Sequence, residues 1–293
     1  MSDDLTQPRV FHHAAYSVER IARERSRRGA SVSVCLPARE CAATVGQVVR
    51  ALCELREAGG VDEVLVVDAA SADGTAEIAR EAGATVRQEA ELLGAFGPVL
   101  GKGDAMWRAL SVLEGDLVCF LDADTEGFGP HFATGLLGPL VCEPDVSFVK
   151  AFYRRPPVTG DRGLAGGGGR VNALLARPAL SIFYPELAGV RQPLAGEVAA
   201  PRELLQRLPF ATGYGVEIAM LIDAWRVVGL ARIAQVDLDE HHHRHQALAE
   251  LEPMARTVLA TIAGRLQRDG RLLQGALAAV PVERPPLASM ARV

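Results

Sequence analysis

The feature that most constrains this chain is a repeated alternation of short, β-branched apolar runs with stretches of helical period. The runs fall at residues 32–36, 64–67, 117–121 and 146–152, and helical stretches such as 44–57 and 104–113 lie between them. Strands that read as unbroken apolar runs are buried on both faces, and strands joined through helices close as parallel crossovers. The expected fold class is therefore α/β, a mainly parallel, doubly wound sheet of Rossmann-like type. A length of 293 residues suffices for one such domain with its own core.

Around that frame, residues 1–30 read as a polar, Arg-rich extension with a surface helix over 17–28. Two halves of one domain follow, 31–155 and 156–280, with a helical stretch over about 248–274 and a loose tail over 281–293. Three segments break the rhythm: 91–101, the Gly-rich 156–169 and the His-rich 239–245. In open α/β sheets ligands sit beyond the carboxyl ends of the strands, so binding residues are expected in loops there.

Several function classes are disfavoured. A net charge of −5 gives no electrostatic footprint for nucleic acid. No run approaches the roughly eighteen apolar residues of a membrane span, and the N-terminus lacks a signal-type apolar core, so the expectation is a cytoplasmic protein. The five cysteines are odd in number and lack CxxC spacing, which reads as buried thiols without chemistry.

The chemistry-bearing residues cluster at strand ends. Phe120-Leu-Asp-Ala-Asp124 closes an apolar strand with two carboxylates, which extended backbone would point to one face. Paired carboxylates need a partner for their charge, and a magnesium or manganese ion bridging a diphosphate is one; a polar turn or helix cap is the plainer reading of such a DxD. The first run exits into Leu36-Pro-Ala-Arg-Glu40, where proline is expected to end pairing. The second ends at Asp68 and continues through Ser71 into a Gly-containing turn.

Gly101-Lys102-Gly103 opens a helix and sets a cation among free amides, although Walker A spacing is missing. Gly166-Gly-Gly-Gly-Arg170-Val-Asn172 combines close backbone approach with a planar guanidinium at a helix start, or is simply a flexible linker. Glu217 lies in the first turn of a helix over Val216–Val228, where the dipole favours a carboxylate regardless of function. The tract His241-His-His-Arg-His245 is either a solvated loop or a metal binder.

Taken in order, these segments resemble the GT-A glycosyltransferases, and among them the glucosyl-3-phosphoglycerate synthases. The resemblance runs from about residue 32 to 270 through Leu36-Pro-Ala, Gly101-Lys-Gly-Asp-Ala-Met-Trp-Arg108, Asp122-Ala-Asp124, Val149-Lys-Ala-Phe-Tyr-Arg-Arg-Pro156, Gly168-Gly-Arg-Val171, Gln192-Pro-Leu-Ala-Gly-Glu197 and Gly213-Tyr-Gly-Val-Glu-Ile218. It implies a retaining transfer of glucose from a nucleotide diphosphate donor, UDP-glucose first, to the small anionic acceptor 3-phosphoglycerate by a homodimer. It makes 31–155 the nucleotide-sugar half and 156–280 the acceptor half.

The resemblance assigns Pro37, Ala38, Arg39, Glu40, Asp68, Ser71, Asp122 and Ala123 to the donor, and Lys102 to its diphosphate. Asp124 and His243 would hold the Mg2+ or Mn2+ ion. Gly169, Arg170, Val171, Asn172 and His245 would hold the acceptor, and Glu217 would orient the sugar or acceptor hydroxyl. The family commonly has Thr at Asn172 and Asn at His245, so a different small hydroxylated acceptor is an alternative. A nucleotidyltransferase, which would usually carry a basic Gly-rich run after the first strand, and a non-catalytic nucleotide-sugar sensor are the rivals.

Overall fold

The computed structural model describes residues 7–154, 169–241, 248–273 and 282–290. In chain order the elements are β1 (Arg9–His12), α1 (Val18–Arg28), β2 (Val32–Ala38), α2 (Val45–Glu57), β3 (Glu63–Asp68), α3 (Thr75–Glu81), β4 (Thr85–Gln88), α4 (Lys102–Ala109) and β5 (Leu117–Phe120). There follow α5 (His131–Cys142), β6 (Phe148–Arg154), α6 (Arg177–Phe183), β7 (Val198–Pro201), α7 (Arg202–Arg207), β8 (Phe210–Ala211), α8 (Val216–Val228), β9 (Ile233–Glu240), α9 (Leu248–Arg268) and β10 (Glu283–Arg284).

Eight strands form one sheet in the order β1-β9-β6-β7-β5-β2-β3-β4. All neighbours are parallel except at β7, which runs antiparallel to both β5 and β6. Alternate side chains feed two cores, as the apolar runs require. Val34, Leu36, Val64 and Val66 pack under α1, α2 and α5, while Cys35, Leu65 and Val67 pack under α4, α8 and α9.

Three expectations are corrected. Pro37 does not end pairing: Pro37 and Ala38 stay in register with Val67 and Asp68 of β3. Leu121 donates to the Cys35 carbonyl and Ala69 to that of Ala38, so the Pro37 nitrogen faces β5, whose pairing has run out after Cys35. The missing donor therefore costs the ladder nothing.

The N-terminal segment is not wholly outside the sheet. Helix α1 forms as expected, capped by the Ser17 hydroxyl and ended by left-handed Gly29, but residues 9–12 ahead of it add an edge strand parallel to β9. Nor is 281–293 a loose tail over its described part. Strand β10 pairs antiparallel with β8, and Arg284 closes a two-bond pair on the wholly buried Asp104 at 2.7 Å for each bond. Arg108 adds a bond to Asp104 at 3.2 Å, and Trp107 donates to the Pro285 carbonyl at 2.8 Å.

Burial works against the Asp104 charge, and bonds from Arg284, the Leu100 N–H and Arg108 outweigh it, holding the carboxyl below its ordinary value. Arg284→Ala should therefore cost about 3 kcal/mol, the low end for breaking a buried pair because Arg108 remains. Urea unfolding checks this. The wild-type advantage should be full above the unfolded carboxylate pKa of about 3.9 and vanish as pH falls through the lower folded value.

Candidate active site

The carboxyl ends of β2 and β5, adjacent at the centre of the sheet, open onto a cavity of about 580 Å³. Its wall takes Pro37, Ala38 and Arg39 from the β2 exit, Asp122, Ala123 and Asp124 from the β5 exit, Lys102 from the start of α4 and Glu217 from the start of α8. Distant segments thus meet where an open α/β sheet places its ligand.

The two carboxylates converge by a different route from the one the sequence suggests. Strand β5 stops at Phe120, so Asp122-Ala-Asp124 is a turn and not extended backbone. The turn is pinned from two sides: Thr44 Oγ1 donates to the Ala123 carbonyl at 2.8 Å, and Thr125 Oγ1 to the Asp122 carbonyl at 3.1 Å.

At the centre, Lys102 Nζ donates to Asp122 Oδ1 at 2.5 Å and lies 3.1 Å from Glu217 Oε1. Burial disfavours the ammonium, but the carboxylates of Asp122 and Glu217 outweigh it and hold its pKa well above the ordinary lysine value. Lys102 is therefore a permanent cation at neutral pH. Four carboxylates, Glu89, Asp122, Asp124 and Glu217, face the cavity against two cations, Arg39 and Lys102, among the described residues. Such a wall repels an anion and attracts a cation.

Other residues expected at the donor stand behind the wall. Ser71 Oγ accepts from the Glu40 N–H at 2.9 Å, and Glu40 Oε1 accepts from the Ala72 N–H at 2.9 Å. Asp68 Oδ2 takes the Ser71 N–H and the Gln88 amide, leaving Oδ1 buried without a hydrogen-bond partner among the described residues. These bonds brace a loop in which Glu40 and Ala70 hold left-handed backbone at φ 52° and 53°, a conformation that costs free energy in residues with a Cβ.

On the acceptor side, Gly169 at φ 81° leads into the helical segment that contains Arg170, Val171 and Asn172. Asn172 is buried and accepts from the Leu194 N–H at 3.0 Å, and Leu194 lines the cavity. His243, His245 and the glycines at 166–168 lie outside the described residues.

Four further residues escaped assignment from sequence. Gly196 presses on the central pair: a Cβ there would lie 2.5 Å from Asp122 Oδ2 and 2.6 Å from Lys102 Nζ. Glu197 is wholly buried beside it. Lys150, also buried, donates to the Ala195 carbonyl at 2.6 Å; burial pushes its ammonium down to about 8, with Glu217 and Glu197 opposing. His241 is buried with its ring stacked on Tyr153, which lines the cavity. The signal was a charged residue inside an otherwise apolar strand, as at Lys150.

A second histidine cluster is satisfied internally. His12 and His13 contact Asp239 at 3.3 and 2.7 Å, and His12 Nδ1 accepts from the Ala14 N–H, so Nε2 of His12 bears a proton toward the carboxylate. The cysteines are free thiols; four are buried, and burial pushes Cys41 up to about 11. No described helix is long and apolar enough to cross a membrane.

The family model described as "Glycosyl transferase family 2" matches residues 33–195. A glucosyl-3-phosphoglycerate synthase of Petrotoga mobilis is 39% identical over 275 residues, 93% of this chain and 84% of that protein. One from Mycolicibacterium smegmatis is 46% identical over 242 residues, 83% of this chain and 80% of that protein. Among solved structures, a mannosyl-3-phosphoglycerate synthase from Rubrobacter xylanophilus superposes with a TM-score of 0.89 at 43% identity, covering 97% of this chain and 98% of its own. A Mycobacterium tuberculosis glucosyl-3-phosphoglycerate synthase, in complex with Mn2+, uridine-diphosphate-glucose and phosphoglyceric acid, gives 0.84 at 39% identity, covering 97% and 99%.

Fold and site together define a GT-A-type glycosyltransferase enzyme. Within that class, the chain belongs to the glucosyl-3-phosphoglycerate synthase family.

The crowding at Gly196 involves only mobile ends of side chains, so Gly196→Ala should fold normally while displacing the Lys102–Asp122 pair. We expect kcat/KM to fall by about a hundredfold, the cost of misplacing reacting groups by an ångström. Steady-state kinetics beside a thermal melt checks both parts.

Proposed function

We propose that the protein transfers glucose from UDP-glucose to 3-phosphoglycerate, with magnesium or manganese required and anomeric configuration retained. The observation that carries this reading is the excess of carboxylates on the cavity wall. A nucleotide diphosphate cannot settle against that wall unless a cation intervenes. The donor set fits a hard divalent ion: Asp124 is exposed to the cavity and Asp122 is oriented by Lys102. Asp124 would hold the ion with His243, and Asp122 would meet the ribose or the ion. Such an ion, when bound, supplies positive charge where the departing diphosphate gains negative charge.

The chain's own residues account for the rest. The β2 exit, Pro37, Ala38 and Arg39, forms one wall for the nucleoside, and the buried Asp68 Oδ1 is an acceptor with no donor among the described residues. The Glu40 and Ser71 frame keeps that wall in place. Lys102, charged and backed by the first amides of α4, neutralises the leaving diphosphate. Glu217 shares Lys102 with Asp122 and orients a sugar or acceptor hydroxyl; it is not assigned as a nucleophile. Arg170 takes the acceptor's anionic groups, with Gly169 admitting them close to the backbone, and Val171, Asn172 and His245 complete that side. Retention follows from attack on the face the diphosphate leaves, its oxygen taking the hydroxyl proton.

The Rubrobacter xylanophilus structure favours a second reading on the donor alone, a mannosyl nucleotide in place of a glucosyl one. Mass-spectrometric detection of products from UDP-glucose, GDP-glucose and GDP-mannose, each crossed with 3-phosphoglycerate and glycerate, separates the two. The reading also takes the enzyme to be a cytoplasmic homodimer, and light scattering checks the subunit number.

Two substitutions test the roles. Asp124→Ala should lower turnover by about two orders of magnitude or more with saturating magnesium. Arg170→Ala should raise KM for 3-phosphoglycerate about 10- to 100-fold, the worth of a charge-assisted bond. Near-normal kinetics in either would remove that assignment.

A further inference from the structure

Behind the residues that flank the proposed ion lies a buried polar cluster that does not line the cavity. His241 Nε2 lies 3.1 Å from Thr125 Oγ1 and 3.4 Å from Glu197 Oε1, and all three side chains are buried. Thr125 Oγ1 also donates to the Asp122 carbonyl at 3.1 Å. A hydroxyl has one proton, and that bond uses it, so Thr125 can only accept from His241. Nε2 of the ring therefore carries the hydrogen of that bond, directed at Thr125, while Glu197 Oε1 stands beside it at ion-pair distance.

The ring is also sandwiched. Tyr153 stacks on it at 4.4 Å between centroids, Phe132 meets it edge-on at 5.3 Å, and the His241 N–H donates to the Arg154 carbonyl at 3.0 Å. One imidazole therefore ties three pieces together: the turn bearing Asp122 and Asp124, the Gly196–Glu197 segment against Lys102, and the exit of β9. Two residues further on lies His243.

From this we propose that His241 is a positioning residue, which holds the Asp122–Asp124 turn in register with the β9 exit so that carboxylate and imidazole reach one divalent cation. The assignment rests on the metal-dependent reading above. His241 is not among the residues that line the cavity; it acts through its bond to Thr125. Partners of this kind, which orient the ligands of a metal, change its affinity about 10- to 100-fold when removed.

Two substitutions separate the donor from the ring. His241→Phe keeps the stacked volume and removes the N–H, whereas His241→Gln places an amide N–H near the Nε2 position and removes the ring. Free Mn2+ is measured by electron paramagnetic resonance during titration of the full chain in the presence of UDP, with thermal melts and initial rates alongside. The Phe variant should bind Mn2+ at least about tenfold more weakly and need correspondingly more of it for half-maximal rate. The Gln variant should stay within about threefold of wild type, because the donor persists. Thr125→Val removes the same link together with the bond to the Asp122 carbonyl, so it should bind Mn2+ at least as weakly as the Phe variant, and the double variant should be no weaker than Val alone.

Wild-type Mn2+ affinity in the Phe and Val variants overturns the assignment, as does a Gln variant as weak as Phe. A wild-type protein that takes up no Mn2+ with UDP present overturns the metal reading itself, and the role of His241 with it.

Discussion

One ammonium group organises this active site. Lys102 stands between Asp122 and Glu217, and each of the three comes from a different part of the chain: a helix start, a turn after a strand and another helix start. Without that cation the two carboxylates would face each other across a partly buried space and drive their segments apart. With it, the β5 exit, α4 and α8 are locked around one cavity. Gly196 belongs to the same constraint, since only a residue without a side chain lets the bend before β7 pass so near the pair without displacing it.

The support for that ammonium is layered. Helix α4 starts with Lys102 and carries Asp104, Trp107 and Arg108 inward, and Arg284 of β10 and the following Pro285 grip Asp104 and Trp107. On the opposite side, Thr44 and Thr125 hold the carbonyls of the Asp122–Asp124 turn. Charge at the cavity is thus placed by neutral bonds and buried ion pairs that substrate never meets.

How much of this was legible beforehand depends on range. The alternation of apolar runs revealed the doubly wound sheet, and the Val216–Val228 helix agrees to the residue, because both depend on local period and burial. That Pro37, Ala38, Asp122 and Lys102 line one cavity was legible from their places at strand ends and a helix start. The direction of β7 was not, since four residues of strand have the same pattern either way. Nor was the pairing of β10, whose Glu-Arg reads as solvent-facing until Asp104 is seen beneath it. The bonds by which Glu40, Ser71 and Asp68 brace their own loop were not legible, because they join residues some thirty positions apart as well as near neighbours. The paired carboxylates met as expected for a reason that differed: a pinned turn does what the pleat was supposed to do.

The reversed strand has a further implication. Because β6 and β7 run antiparallel, β6 ends and β7 begins at the same end of the sheet, and the described residues 169–197 belong to a single excursion between them. The segment from Gly169 to Asn172 lies within that excursion, while Pro37, Asp122 and Lys102 belong to the frame outside it. A change confined to this one insertion would therefore reshape the cavity through Leu194 and leave the frame around Lys102 standing.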